Sequence, residues 1–515
     1  MRDNYEPFNI ADLFFDTAKK HPQKTAIIFH DKRVLFGELE KQVYDTAQFF
    51  LKKGIGKSDR VLVFVPMSID LYRIVLAIFK IGATAVFLDE WVSRKRMEKC
   101  CEIAQCKAFI GIFKARSLSL LSTELRKIPV KLGLGYNLVQ SKIAIALTHP
   151  TDTALITFTT GTIGIPKAAL RTHGFLYHQF KALEQKIGPA DDDISMAVLP
   201  IVLLINLATG TTSIIADFKA SKPNRLNSGR VIQHIKQYGV NNIIASPFFI
   251  RKLAEHIIRD KVPAPNVKKI YTGGAPVFPT EAAIYNEAFH DTKIEVIYGS
   301  TEAEPISAID VKELLSQKKH ILNGLNVGKI AACTDVKIIK IFAESIQPET
   351  QKELDDITLS VNETGEIIVS GDHVLRGYLN NEDALKRNKI FIGKHCWHRT
   401  GDSGYLDETG CLFLMGRCST LIYKDGETVY PFIYENYFST ISGVEIGTVM
   451  ALIGKITAFI ELNDKLKKES VESAIKSADN PIEQIIFLKK IPRDPRHNSK
   501  IDYQKLKVLS QGLLA

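Results

Sequence analysis

The run Thr157-Phe158-Thr159-Thr160-Gly161-Thr162-Ile163-Gly164-Ile165-Pro166-Lys167 gathers four threonines, two glycines and a lysine into one short stretch. Glycines let backbone amides approach an anion closely, threonine hydroxyls donate hydrogen bonds, and Lys167 adds a charge on a long stem. That combination suits a polyphosphate. The spacing is not that of a Walker A loop. The same residue types also build an ordinary Thr/Gly turn, so this stretch alone leaves both readings open.

Three further stretches carry chemistry of the same kind. Val296-Ile297-Tyr298-Gly299-Ser300-Thr301-Glu302 reads as a strand running into a turn. Its tyrosine ring can stack on a nucleobase, its threonine can meet a phosphate and its glutamate can hold a Mg²⁺ bound to that phosphate. Thr272-Gly273-Gly274-Ala275-Pro276 ends an earlier strand in the same way. Trp397-His398-Arg399-Thr400-Gly401-Asp402-Ser403-Gly404-Tyr405, followed by Gly416-Arg417, offers an aspartate and an arginine from Gly-rich β turns. Such a pair can hold the two hydroxyls of a ribose, although an aspartate in this setting is also a common turn former. Near the C-terminus, Ile491 to Ile501 is a Pro- and Asn-containing loop carrying Lys500.

The elements that must position these residues alternate in type. Short β-rich runs at Thr25 to Phe29, Arg60 to Val65 and Thr84 to Leu88 alternate with helical-period segments at Phe36 to Lys53 and Leu71 to Ile81. The pattern returns between Leu155 and Ile297, with strands expected at Ala154 to Phe158, Met196 to Val198, Thr212 to Ile215, Asn242 to Ala245, Lys269 to Thr272 and Glu295 to Ile297. This texture predicts an α/β architecture with two related, largely parallel layers in one large body. In such sheets ligands gather at the carboxyl ends of strands, so the first three turns are expected to share one crevice. After Ile297 the chain becomes Gly-punctuated β segments, including Gly365 to Val369 and Gly410 to Leu414. The expected division is a large domain at 1–417 and a small C-terminal domain at 418–515, with a hinge near Arg417 to Ser419.

Composition excludes several alternatives. The 515 residues, 45% hydrophobic and 24% charged, are enough for large cores and exclude disorder as the main state. Sixty-seven basic against 57 acidic residues leave a charge of +10, thin over this length, which suits anionic small molecules rather than nucleic acid. The seven cysteines follow no disulfide or zinc spacing and read as reduced structural thiols. The opening Met1 to Glu6 lacks the basic-then-apolar order of an export signal, so a cytoplasmic location is expected. The apolar stretch Met196 to Ala208 is too short to span a bilayer and reads as a buried strand or pocket wall. Arg94-Lys95-Arg96 reads as a solvated helix face.

Taken together, in this order and spacing, the four segments resemble the adenylate-forming superfamily of acyl-CoA synthetases, luciferases and peptide-synthetase adenylation domains. The resemblance implies a large body of stacked α/β sheets plus a β subdomain, with a small mobile α+β C-terminal domain. It implies ATP and Mg²⁺ as partners in catalysis, with a carboxylate attacking the α-phosphate to give an acyl-adenylate and pyrophosphate. Carried over by position, Thr159, Thr160, Gly161, Thr162, Gly164 and Lys167 match the phosphate loop, and Gly273, Gly274, Ala275 and Pro276 the lining of the adenine pocket. Tyr298 matches the adenine-stacking aromatic, with Gly299 beside it, Thr301 the α-phosphate contact and Glu302 the Mg²⁺ carboxylate. Asp402 and Arg417 match the ribose pair, Ser419 the hinge and Lys500 the mobile catalytic lysine.

The ending Arg496-His497-Asn498-Ser499-Lys500-Ile501 is similar to that of the β-lactone synthetases of bacterial olefin biosynthesis. Tyr298 to Pro305, Asp217 to Pro223 and Tyr238 to Pro247 resemble the same branch, as does Leu203 where many CoA ligases carry histidine. The implied substrate is a fatty or β-hydroxy fatty acid, with the apolar run Val198 to Leu207 lining its pocket. CoA is the alternative acyl acceptor, and a nucleotide-binding protein without turnover is the reading from another class. Departures from the family pattern are Ile163, which removes a phosphate-loop hydroxyl, Ala168 in place of glycine, and Ser419. No nucleic-acid partner and no transmembrane segment are expected. A lipophilic substrate and a basic surplus leave pathway enzymes and a membrane surface open as partners.

Overall fold

The computed structural model describes residues 6–88, 93–120, 122–135, 143–160, 166–218, 223–316, 322–493 and 500–512. Two large sheets organise the N-terminal body. One has six strands in the order Val130–Leu132, Ala108–Gly111, Arg60–Phe64, Thr84–Phe87, Thr153–Thr160 and Pro166–Thr172. The first five are parallel and the sixth closes a hairpin on the fifth.

The other sheet has 14 strands. Its parallel part runs Lys293–Ser300, Lys269–Gly273, Asn242–Ala245, Ile194–Ala197, Thr212–Ile215 and Thr25–Phe29. Beyond Lys293–Ser300 it continues antiparallel through Ala303–Asp310, Leu325–Ile330, Cys411–Arg417, His395–Leu406, Gly365–Ser370 and Asp335–Ile339. Parallel strands such as Asn-Ile-Ile-Ala at 242–245 are short and fully buried, because both faces are covered.

The helix Ile69–Lys80 carries nine buried residues, Leu71 to Phe79, since it lies in the core shared with both sheets. Its one buried cation, Arg73, is satisfied by Asp70 Oδ1 and Thr46 Oγ1, each at 2.8 Å, and by the Leu134 carbonyl at 3.0 Å.

Most expected elements stand close to their predicted ends. One is misplaced in space: Thr25–Phe29 does not join the neighbouring strands of its own layer but pairs in parallel with Thr212–Ile215 in the large sheet. Alternation along the chain cannot reveal such a crossing. The Met196 to Ala208 stretch divides into the end of a strand and the helix Pro200–Thr209, started by a proline at its first position. Arg94 and Lys95 are exposed on the helix Arg94–Ala104, as expected of a solvated face. All seven cysteines are free. Among the described residues no helix is long and apolar enough to cross a membrane.

After Arg417 a short hairpin leads to the helix Pro431–Ser439 and a three-stranded sheet of Val444–Leu452, Lys455–Leu462 and Gln484–Leu488. This small α+β unit has its own core around Phe438, Val449 and Ile460. It meets the large body through Phe278 and Phe432, 5.3 Å apart, and through the Thr280 and Ser439 hydroxyls at 3.0 Å.

His173, the first residue of the helix His173–Ile187, is fully buried and accepts the Ile10 N–H at 3.1 Å. Burial holds its pKa down at about 4 against an ordinary 6.5. The unfolded chain therefore takes this proton first as pH falls below about 6.5, so stability is lost on the way down to about 4. By pH ~4.5 the loss from this residue reaches about 2–3 kcal/mol. Melting temperatures across pH are expected to fall accordingly, and less steeply in His173→Gln, whose amide oxygen still accepts from Ile10. Equal acid sensitivity in the two proteins would remove His173 as the cause.

Candidate active site

The predicted turns lie at the carboxyl ends of neighbouring strands. Gly273 is in register with Ile297, which sets the loop Gly274-Ala275-Pro276 beside Tyr298. A Cβ on Gly273 would come within 2.5 Å of the Ile297 carbonyl, and Gly274 takes a φ of +87°, so both positions need glycine. Thr159 pairs with Lys167 and Thr160 with Pro166 at the end of the hairpin in the smaller sheet. Gly161, Thr162, Ile163 and Gly164 lie outside the described residues.

A single segment ties the two sheets together at this point. Leu375 N donates to the Glu302 carbonyl at 2.7 Å, and Val374 bridges Ala303, both on the large-sheet side. A few residues on, Leu170 N donates to the Gly377 carbonyl, Tyr378 bridges Ala169, and Leu379 N donates to the Ala168 carbonyl, all on the hairpin. Arg171, also on the hairpin strand, donates to the Thr301 carbonyl at 3.2 Å.

This seam assembles two polar clusters. In the first, the Tyr298 hydroxyl donates to Asp402 Oδ2 at 2.7 Å and Arg417 Nε lies 3.1 Å from Asp402 Oδ1. Burial and then the Asp402 charge push the Tyr298 hydroxyl well above its ordinary pKa, and Asp402 raises that of Arg417. Arg417 also donates to the Thr400 carbonyl, and its side chain is 56% exposed, available to a ligand. Asp402 is not presented from a turn. It stands within the strand His395–Leu406, directly across from Arg417, with Gly401 at φ +71° beside it. The Gly-rich composition suggested turns, but glycines here relieve close strand contacts: a Cβ on Gly404 would fall 2.2 Å from the Phe413 carbonyl.

In the second cluster Glu302, 7% exposed, has its Oε1 at 3.9 Å from Lys167 Nζ and accepts the Tyr378 hydroxyl at 3.3 Å. Lys167 Nζ is 5.2 Å from the Tyr378 ring centroid and within 3.5 Å of Asn388 Oδ1. Burial lowers the Lys167 pKa, against the pull of Glu302. Lys389 is completely buried, its Nζ 5.8 Å from the same ring, and burial brings its pKa down to about 8. Tyr378, Asn388 and Lys389 have no counterpart among the sequence-derived candidates. Asn388 ends a short helix and Lys389 begins a short strand, locally unremarkable settings, and only the meeting of the two sheets brings these three residues together.

No group of three or more His, Cys, Asp or Glu suited to a metal exists among the described residues. Glu302 is the one carboxylate beside Lys167, and a single carboxylate suffices for a Mg²⁺ that keeps most of its waters and takes its remaining oxygens from a bound phosphate. Lys167 and Arg417 place two positive charges near each other at this seam, a pattern that suits an anionic ligand. Lys500 lies in the C-terminal unit, next to the bridge between Arg493 and Ile501, and Arg493 is fixed by Glu461 at 3.0 Å. Arg496, His497, Asn498 and Ser499 lie outside the described residues.

The sequence profile of the AMP-binding enzymes matches residues 14–379. The chain belongs to the AMP-binding enzyme family. It is therefore an adenylate-forming acid ligase in the coarse sense that unites this family. Among related AMP-binding enzymes, an olefin β-lactone synthetase of Stenotrophomonas maltophilia (strain K279a) is 27% identical over 99% of each chain. The amide bond synthetase McbA of Marinactinospora thermotolerans superposes with a TM-score of 0.82 at 19% identity, covering 97% of this chain and 99% of that one. O-succinylbenzoate coenzyme A synthetase of Bacillus subtilis, solved with ATP and a magnesium ion, gives a TM-score of 0.80 at 21% identity over 98% and 99% of the two chains. The expected body of stacked sheets with a small C-terminal domain is the fold that these structures share.

The apolar helix Pro200–Thr209 splits its residues between two environments. Leu203 is fully buried in the core, whereas Ile201, Leu204, Ile205 and Ala208 line an apolar cavity shared with the helices Asp12–Lys20, Ile69–Lys80 and His173–Ile187. At about 50 Å³ it is far smaller than the roughly 300–1,000 Å³ of an ordinary ligand pocket.

The strand bearing Asp402 is anchored in the interior by Arg399, on the same strand. Arg399 donates to Glu366 Oε2 at 2.6 and 3.0 Å and to the Phe342 and Glu344 carbonyls. Glu366→Ala leaves that guanidinium buried without its carboxylate, at a cost of about 3–5 kcal/mol. A melting temperature lower by about 3–6 °C is expected for a body of this size. An unchanged melting temperature would show that the two carbonyls alone hold Arg399.

Proposed function

We propose that this enzyme uses ATP and Mg²⁺ to adenylate a lipophilic carboxylic acid and then closes the product to a β-lactone. The observation that carries the lactone step is the end-to-end likeness to an olefin β-lactone synthetase, supported by the Arg496-His497-Asn498 ending. In this reading Gly273, Gly274, Ala275 and Pro276 line the adenine site with Tyr298 and Gly299, and Asp402 with Arg417 receives the ribose. Thr159, Thr160, Gly161, Thr162, Gly164 and Lys167 hold the polyphosphate, Thr301 meets the α-phosphate, and Glu302 is the carboxylate for Mg²⁺. The ion would supply charge neutralisation at the phosphates.

The acid's carboxylate attacks the α-phosphorus, and the bond to pyrophosphate breaks. Lys167 and Lys500 meet the charge that develops, so positioning and electrostatics do the work without a protein nucleophile. The β-hydroxyl oxygen then bonds to the acyl carbon and gives up its proton to water, while the bond from that carbon to the phosphate oxygen breaks and AMP departs. Residues 418–515 rotate about the segment at Ser419 to bring Lys500 in and out. In this reading the apolar face Ile201, Leu204, Ile205 and Ala208 meets part of the acyl chain.

The second reading is transfer of the acyl group to CoA, favoured by the likeness to a coenzyme A synthetase. Mass spectrometry of products from ATP, Mg²⁺ and a β-hydroxy fatty acid separates the two. Loss of water from the acid without CoA, with AMP and pyrophosphate, is expected; a thioester formed only with CoA would replace the lactone reading. ATP binding without pyrophosphate release across a broad panel of acids would point instead to a protein without turnover.

Lys500→Ala is expected to reduce acyl-adenylate formation by about 100-fold or more while ATP affinity changes by less than about threefold. Equal losses in both would place Lys500 in binding rather than in the transition state.

A further inference from the structure

Lys389 is the buried cation that the roles above do not use. It opens the strand Lys389–Ile392, stands across from His398, and is 0% exposed. Among the described residues its Nζ has no hydrogen-bond partner. Buried ammonium groups are normally paired, and a methionine would fill the same space without the desolvation cost. A lysine in that place points to a charge that something must balance.

Its surroundings do not balance it. Lys389 and Lys167 approach the same Tyr378 ring, at 5.8 and 5.2 Å, and the Tyr378 hydroxyl is turned to Glu302. Glu302 is one carboxylate against two lysines, and it already faces Lys167 at 3.9 Å. His398 donates from Nδ1 to the Asn388 carbonyl at 3.1 Å and is held neutral by burial. Cys396, on the facing strand, is kept as a thiol by burial. Arg376, directed to the Lys394 carbonyl, adds another positive charge nearby. Lys389 and Lys167, set against the single carboxylate of Glu302 around the Tyr378 ring, thus leave the cluster with a net positive charge.

We propose that Lys389 is a positioning residue for the polyphosphate: a fixed cation behind Tyr378 whose charge is matched when a triphosphate or pyrophosphate group enters beside Lys167. It touches no phosphate. It acts by raising the potential of the site and by holding the ring that orients Glu302. This inference rests on the adenylation reading and adds a residue to it.

Isothermal titration of the full chain with MgATP, with inorganic pyrophosphate plus Mg²⁺, and with adenosine tests it, using Lys389→Met and Lys389→Arg. Lys389→Met is expected to weaken MgATP and pyrophosphate about tenfold, to flatten the salt dependence of both, and to leave adenosine within about twofold. Lys389→Arg is expected to restore most of the loss. Unchanged pyrophosphate and MgATP affinities in Lys389→Met would overturn the inference. An equal loss for adenosine would do so too, by showing a packing role. Should Lys389→Met not fold, by its thermal melting, Lys389→Gln carries the same comparison. Wild-type protein that binds neither MgATP nor pyrophosphate would overturn the adenylation reading itself, an outcome distinct from a variant that binds as well as wild type.

Discussion

The short segment from Val374 to Leu379 hydrogen-bonds to both sheets, and the candidate site is assembled along it. Its amides and carbonyls reach the Glu302 turn on one side and the Ala168 to Leu170 strand on the other. Without that seam the phosphate-loop hairpin and the Tyr298 to Glu302 turn would belong to separate layers. With it, a lysine from one sheet and a glutamate from the other come to 3.9 Å. The energy of the seam comes from satisfied backbone groups in a place where water cannot serve them. The wider cores, around Phe36, Phe50 and Tyr72 between the sheets and around Phe249 and Tyr285 on the far side, supply the bulk stability that keeps it closed.

Much of this was legible in the sequence because the site follows a general rule of open sheets. Turns that follow apolar strands, rich in glycine and ending in a hydroxyl or carboxylate, sit at strand ends whatever the protein. Thr272 to Pro276 and Tyr298 to Glu302 were readable for that reason. Thr212–Ile215 and Asn242–Ala245 were readable as strands because each holds an Ile-Ile pair in a short β-type run, the mark of a strand buried on both faces. The pairing of Asp402 with Arg417 was readable as a partnership. Its setting was not, since glycine serves a tight turn and a close strand contact equally well.

What stayed hidden depends on contacts far apart along the chain. Nothing local distinguishes Thr25–Phe29 as a strand of the far sheet. Lys389 precedes Ile390 and Phe391 in a run that looks like the polar start of a half-exposed strand, yet it is among the largest fully buried side chains. Asn388 closes a short helix and would pass for an ordinary helix end, but its side chain meets Lys167. In each case the residue acquires its meaning from a group distant along the chain, and periodicity carries no record of such partners.

The seam at Val374 to Leu379 is made of main-chain groups, and main-chain groups are supplied by nearly every residue type. Side chains along it, Tyr378 among them, can therefore change without releasing the two sheets. An ancestral chain closed in this way could exchange what faces the ligand while its framework stayed the same. The seam separates heritable architecture from adjustable chemistry, and that separation is the kind of arrangement from which a lineage of enzymes with one scaffold and many acids can diverge.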